Sequence, residues 1–374
     1  MALYTLVTIV TLVLAYYVMP REQITVYGTT RRQALSRVCL IAIFTILFLL
    51  SSLRMEVGND YKNYAITCHE IWVNGYVVTE PGFNFLVKLV YTILGGEDYI
   101  AVFAIFSLVT VVLFLVAFRK DSESFFWSMV LFMSLGVYFR TFNTVRYYFV
   151  LVVALCTVSL VAKKKYPAFV LIIIAAAFFH KSVLFVIPVY IFANYMRKKW
   201  HYLALLMGGI MVFIGRDLVM WLALKLYPSY ENTPYISATD SILSNLPAIG
   251  RCGLVLLLCL IYYKQGIENH SLNRICFNLN IMAIVLVICG YYIPLIDRFS
   301  HYLMIPHLLL VPNLIAHIEN RKSKKVVIGM ATLFCFLYFV IFLKTASEPG
   351  VRVLPYKTWI MEGLQEYNYY NEFT

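Results

Sequence analysis

The sequence predicts an all-α, polytopic integral membrane protein with about ten transmembrane helices plus short re-entrant half-helices, on three observations. Of the 374 residues, 61% are hydrophobic and only 13% charged, too little polarity to cover a soluble domain of this size. The apolar residues fall in long runs: 100–118 and 326–343 carry no charge, and each is long enough to span the hydrocarbon core. Lys and Arg gather in short clusters between those runs, as they do where charge sets membrane orientation. The period-two alternation of a β-barrel strand is missing from the runs. The net charge of +12 is therefore read as topology, and no nucleic-acid partner is expected.

Taken in order, the first apolar run has no basic residue before it and no A-x-A site after it. It is expected to stay as a helix rather than be cleaved as a signal peptide. The segment 21–37 holds Arg21, Arg31, Arg32 and Arg37 and is assigned to the cytoplasm. Arg119–Lys120, Lys163–Lys164–Lys165, Arg197–Lys198–Lys199, 264–274 and 321–325 are the other cytoplasmic clusters. Full spans at about 2–19, 35–53, 98–118, 124–140, 143–162, 201–216, 248–264, 275–293, 299–317 and 326–344 connect them without contradiction. Both termini then face outside. One transmembrane domain, 1–344, encloses an outer-face cavity, and an outer tail, 345–374, follows. In that tail, 356–367 reads as an interfacial amphipathic helix.

Two apolar segments do not span. Residues 81–94 are too few. Residues 167–195 lie between two strong basic clusters and so must enter and leave on one side. Two half-helices of about 13 residues, each roughly 20 Å long, do this with a break at His180-Lys181-Ser182. Broken backbone at membrane depth is tolerated only where protein buries it or a wet cavity faces it, so the break is a candidate site. Of the outer loops, 54–80 and 227–247 are long enough to carry contacts. The eight cysteines form no C-x-x-C pair and lie mostly in apolar runs, where they read as small hydrophobes; no zinc site or disulfide framework is indicated.

This topology collects cations at the outer ends of the spans: Arg54, Arg140, Arg146, Lys181, Arg216, Arg251 and Arg298. Snorkelling or helix capping explains any one of them. The set runs against the positive-inside trend, and clustered guanidinium groups recognise phosphate oxygens bidentately. Asp60, Glu80 and Asp297 are the outer acids, each a candidate general base or an ordinary ion-pair or helix-end charge. His180 is a base, a diphosphate ligand or a satisfied polar residue at a helix break, and His301 is a weaker candidate. Tyr61, Tyr64, Trp72 and Tyr76 are outer aromatics able to stack on sugar rings.

These residues together resemble the EpsG-like branch of the Wzy-type bacterial polysaccharide polymerases. The carrying motifs are R-x3-G-x-D-Y at Arg54, Gly58, Asp60 and Tyr61, and E-P-G-F at Glu80 to Phe83. N-x2-R follows at Asn143 and Arg146, H-x-S at His180 and Ser182, and D-R-x3-Y at Asp297, Arg298 and Tyr302. Their order covers about 54–302. The resemblance implies a membrane glycosyltransferase with a lipid-linked donor, in the bacterial cytoplasmic membrane with its active site facing out. It would join undecaprenyl-diphosphate-linked oligosaccharide repeat units into O-antigen, capsule or exopolysaccharide, beside a flippase and a chain-length regulator. Diphosphate leaves, so Arg146 and Arg298 are the first choices to bind it, with Arg54, Arg140 and Arg251 behind them. Asp60 is the first choice of base, with Glu80 and His180 as alternatives, and Tyr61, Asn143 and Tyr302 are assigned to the sugars. No D-x-D motif is present, so no metal, no cofactor and no nucleotide-sugar donor are expected.

Three other readings compete. An O-antigen ligase uses the same donor with a different acceptor. A membrane acyltransferase would also use His180, but should carry its key residues inward. A lipid-linked sugar transporter would use broken helices, often in two related halves, and no internal repeat is evident.

Overall fold

Local signals in the sequence start and stop the helices. The computed structural model describes residues 1–19, 30–226, 242–290, 296–348 and 350–362. Helix α1 runs Ala2–Tyr16. A reciprocal capping box between Thr30 and Gln33 opens α2, Arg31–Ser52. After α3, Tyr61–Trp72, Pro81 occupies the first turn of α4, Pro81–Leu94, which Gly95 ends in the left-handed region at φ 74°. The Asp98 carboxylate accepts from the Ala101 N–H to start α5, Tyr99–Asp121, and Ser124 caps α6, Phe125–Ser134. A turn of helix, α7 at Val137–Arg140, precedes α8, Val145–Ala162.

The chain forms two compact units. The first holds Met1–Cys156, Ile174–Lys181 and Arg321–Thr374; the second holds Thr157–Ile173 and Ser182–Asn320. In the first, α2 packs on α5, α1 on α2 and α6, and α3 on α4 and α5. Tyr61, Tyr64, Phe83, Tyr91, Phe103 and Phe106 anchor its aromatic core.

Helices α9, Tyr166–Ala177, and α10, Val186–Tyr195, are joined through a 3-10 turn at Lys181–Phe185. They fold back on each other. The Tyr166 and Tyr195 rings stack at 6.3 Å, as do those of Phe169 and Tyr190. Asn194 ties the closed end by donating to the Tyr166 hydroxyl at 2.8 Å and the Val161 carbonyl at 3.2 Å. The interruption falls where the flanking charges require it, around His180.

In the second unit, α11 (Lys199–Ile214) and α12 (Arg216–Leu226) follow, then α13 (Ile242–Ile261) and α14 (Ser271–Gly290). Next come α15 (Ile296–Met304) and α16 (His307–His317). Helix α14 packs against α10, α11, α13, α15 and α16. Three buried asparagines join it to neighbours. Asn278 donates to the Ala193 and Met196 carbonyls at 2.7 and 2.9 Å, Asn280 donates to the Cys252 carbonyl at 3.1 Å, and Asn273 accepts from Asn313 at 3.0 Å. Such bonds specify register where apolar packing alone does not. The last long helix, α17 (Arg321–Thr345), returns to the first unit and packs on α6.

The protein is a multi-pass helical membrane protein. Among the described residues, six helices are long and apolar enough to cross a bilayer, with Arg298–His317 counted as one, or seven if Lys199–Ile214 and Arg216–Leu222, bent by 82°, count as one span. Shorter apolar helices, Ala2–Tyr16, Phe125–Ser134 and Leu246–Ile261, stand where the other three spans are expected. The expected span at 124–140 is broken. Gly136 takes φ +68°, where a Cβ would meet the Phe342 ring at 2.6 Å. The tail also differs from expectation. It pairs with the 54–58 loop through an Arg54–Thr358 bridge and N–H bonds from Met55 to Lys357 and from Gly58 to Arg352, and a helix at Trp359–Glu362 ends its described residues. Lys357 and Thr358 are held in that pairing, so the helix expected from 356 starts at Trp359 instead. Residues 363–367, Arg21 and most of the outer loop 227–247 lie outside the described residues.

Candidate active site

Glu80 is the N-cap residue of α4, held in extended backbone by the following proline. Its carboxylate gathers three donors from distant segments. Oε1 accepts from the Lys181 N–H at 3.1 Å and lies 3.1 Å from His180 Nδ1; Oε2 accepts from Arg146 Nη1. The three side chains are 13%, 16% and 22% exposed for Glu80, Arg146 and His180, so the cluster is half-buried and reachable. Burial pushes the Glu80 carboxyl up, but the His180 hydrogen bond, the Arg146 charge and the Lys181 N–H outweigh it and hold the group at about 2. Glu80 is thus ionised at neutral pH and can only accept. The bond to His180 must then be donated by Nδ1–H, so Nε2 is the ring nitrogen that can take up a proton whenever the imidazole is neutral.

Aromatic rings orient Arg146. Its guanidinium carbon lies 5.4 Å from the Tyr64 ring centroid and 4.9 Å from that of Phe83. Phe83 belongs to E-P-G-F, so one motif supplies both the carboxylate and one face of the clamp. Its glycine has a separate task. Gly82 N–H donates to the Phe178 carbonyl at 2.8 Å, and a Cβ on Gly82 would sit 2.7 Å from that oxygen. This backbone contact sets the segment carrying His180 against the start of α4. Arg146 Nε has no partner among the described residues. The Tyr147 ring meets His180 edge-on at 5.8 Å.

The other motif residues of the first unit shape the loop before α3. Gly58 takes φ +106° with the Phe142 carbonyl against it, so a side chain there is excluded twice over. Asn143 Oδ1 accepts from the Asp60 N–H at 3.1 Å, which fixes Asn143 to the loop. Asp60 is half-buried. Burial raises the Tyr64 hydroxyl above its ordinary range, with the Arg146 charge opposing and the Asp60 charge adding, so Asp60 acts on the same aromatic clamp. Arg140 closes α7 and is half-buried.

Three residues assigned to substrate are interior instead. Arg54 is 1% exposed, Tyr61 2% and Tyr302 0%. Phe103, at 4.9 Å, covers the Tyr61 ring, which removes it as a sugar platform. Tyr302, in the second unit, shares a 2.8 Å hydrogen bond with the Ser182 hydroxyl and accepts from Tyr190 at its carbonyl. Arg251, also there, donates to Met304 Sδ at 2.8 Å, and Arg298 is exposed on α15. The side chain of Asp297 lies outside the described residues. Of the outer aromatics, Tyr76 is 90% exposed and open to a ligand.

Sequence reasoning missed the roles of Phe83 and Tyr64 in holding Arg146. The signal available was E-P-G-F itself, whose phenylalanine follows the carboxylate by three residues, one turn away.

In a multi-pass helical membrane protein, a half-buried carboxylate–arginine–histidine cluster at an interrupted helix marks a candidate functional site. The chain matches the model of the EpsG family over residues 37–358, and it belongs to that family. Membership brings a polysaccharide-polymerase role of the glycosyltransferase kind. No curated protein and no solved structure matches the chain.

Proposed function

We propose that this protein polymerises undecaprenyl-diphosphate-linked oligosaccharide repeat units at the outer face of the bacterial cytoplasmic membrane. One observation carries the reading: Glu80 joins Arg146 and His180 in one half-buried cluster. The acceptor sugar hydroxyl attacks the anomeric carbon of the donor. Its proton passes to His180 Nε2, and the bond from that carbon to the diphosphate oxygen breaks with inversion. Glu80 orients the imidazole and stabilises the imidazolium that forms, so it serves as the positioning group rather than the base. Charge builds up on the departing diphosphate, and Arg146 answers it through the edge not spent on Glu80. Asp60 stays the alternative base, and Arg140 is a further diphosphate contact. Flippase and chain-length regulator are the partners the reading implies.

The test is a deletion in the native host, complemented with wild type, Arg146→Ala and His180→Ala at matched membrane levels, with the surface glycan resolved on a gel. The expected result is a single-repeat product without a ladder in the deletion strain, restored by wild type alone. Loss of the single-repeat product too would favour a ligase. An unchanged ladder in the deletion strain would overturn the proposal.

A further inference from the structure

Arg54 is buried to 1% exposure, and no carboxylate among the described residues pairs with it. Its surroundings are specific. Nη1 donates to the Ser51 carbonyl at the end of α2 and lies 3.3 Å from the Ser51 hydroxyl and 3.5 Å from that of Ser107. The guanidinium carbon lies over the Phe103 ring at 5.2 Å and over the Phe142 ring at 5.3 Å. Nε and Nη2 have no acceptor among the described residues. Those two N–H groups point the same way and form the fork edge with which arginine grips an anion. Tyr4, Tyr61, Tyr138 and Tyr356 surround the charge closely enough to act on it.

Leaving this edge unsatisfied is costly, because a buried charge needs both a counter-charge and hydrogen-bond acceptors. The open N–H groups lie in the guanidinium plane, so a ligand that accepts from both must sit in that plane. Burial keeps a lipid diphosphate away. A small, weakly hydrated monoanion fits these constraints, since it loses less hydration than phosphate when it enters aromatic surroundings.

We propose that Arg54 holds a halide ion, chloride under physiological conditions, as an internal counter-ion. Its role is structural. The Arg54 backbone bridges Thr358, Tyr356 donates to the Leu50 carbonyl at 2.8 Å, and Tyr4 donates to the Val353 carbonyl at 2.6 Å. The anion thus sits where α1, the end of α2 and the C-terminal tail meet within the first unit.

The test uses the full-length protein in nanodiscs, titrated with chloride at constant ionic strength against gluconate. Wild type should show a saturable rise in Tm on the order of a few degrees, and Arg54→Lys, which keeps the charge but loses the fork, should show less than half of it. Crystals grown in bromide should give an anomalous peak within hydrogen-bonding distance of Nε and Nη2, a readout independent of whether the variant folds. A Tm indifferent to chloride, an unchanged response in a folded Arg54→Lys, or bromide bound only elsewhere would each overturn the assignment.

Discussion

At the scale of the residue, Glu80 decides what the site can do. A carboxylate held at about 2 is a poor base, yet it suits the fixing of a histidine tautomer and the balancing of a buried arginine. Replacing it with glutamine keeps the shape and removes the charge. Turnover by Glu80→Gln should fall on the order of 10²-fold, measured on lipid-linked substrate in proteoliposomes. Stability should show the sign of the shift. The folded value lies below the ordinary 4.5, so the contribution is complete above about 4.5 and is lost as pH falls through about 2. The Tm gap between wild type and Glu80→Gln should therefore be full at pH 6 and shrink by pH 3. A constant gap would mean that the charge of Glu80 does not stabilise the fold. All three residues were legible as candidates in the sequence, through E-P-G-F, N-x2-R and H-x-S. Their meeting was not, because 66 residues separate Glu80 from Arg146 and 100 separate it from His180. No periodicity reports a contact that long. The clamp role of the Tyr64 ring was hidden for another reason: in a chain that is 16% aromatic, one more ring outside a motif carries no signal.

At the scale of the element, the helical hairpin of α9 and α10 followed from length and charge alone. Basic clusters at both ends and too few residues for two spans leave a fold-back as the economical path. Helix α6 went the other way. Its apolar run continues through Gly136, and only the ring of Phe342, more than 200 residues on, explains why the chain turns there. Gly82 gives this scale its prediction. It sits where two backbones touch, with the Phe178 carbonyl 2.7 Å from a would-be Cβ. Gly82→Ala should destabilise by about 1–3 kcal/mol, because neither a carbonyl nor a helix start yields easily. It should also lower turnover, since the shift passes to His180, two residues beyond Phe178. Thermal unfolding and turnover measured on the same preparation check this. Normal activity at lowered Tm would show that the contact stabilises the fold without positioning the histidine.

At the scale of the whole molecule, the first unit makes a statement about sidedness. Tyr4 near the start of α1 bonds to Val353, and Arg54 after α2 bridges Thr358, so the start of α1, the loop after α2 and residues 353–358 share one side. Counting spans in the sequence puts both termini on one side, and for the start of α1 and residues 353–358 the contacts give a shared side without any count. Which side of the membrane this is rests on the basic clusters, for example Arg119–Lys120 at the far end of α5. Cysteine labelling decides it. In a background freed of the eight native cysteines, Tyr76→Cys and Lys120→Cys report the two ends, and both positions are exposed. An impermeant maleimide added to intact spheroplasts should label Tyr76→Cys readily and Lys120→Cys only after permeabilisation. The reverse pattern would turn Glu80, Arg146 and His180 toward the cytoplasm, where a flipped lipid-linked donor is not presented. The polymerase reading would then fail while the fold, the ion cluster and the anion site at Arg54 stood unchanged, because none of those depends on which side faces out.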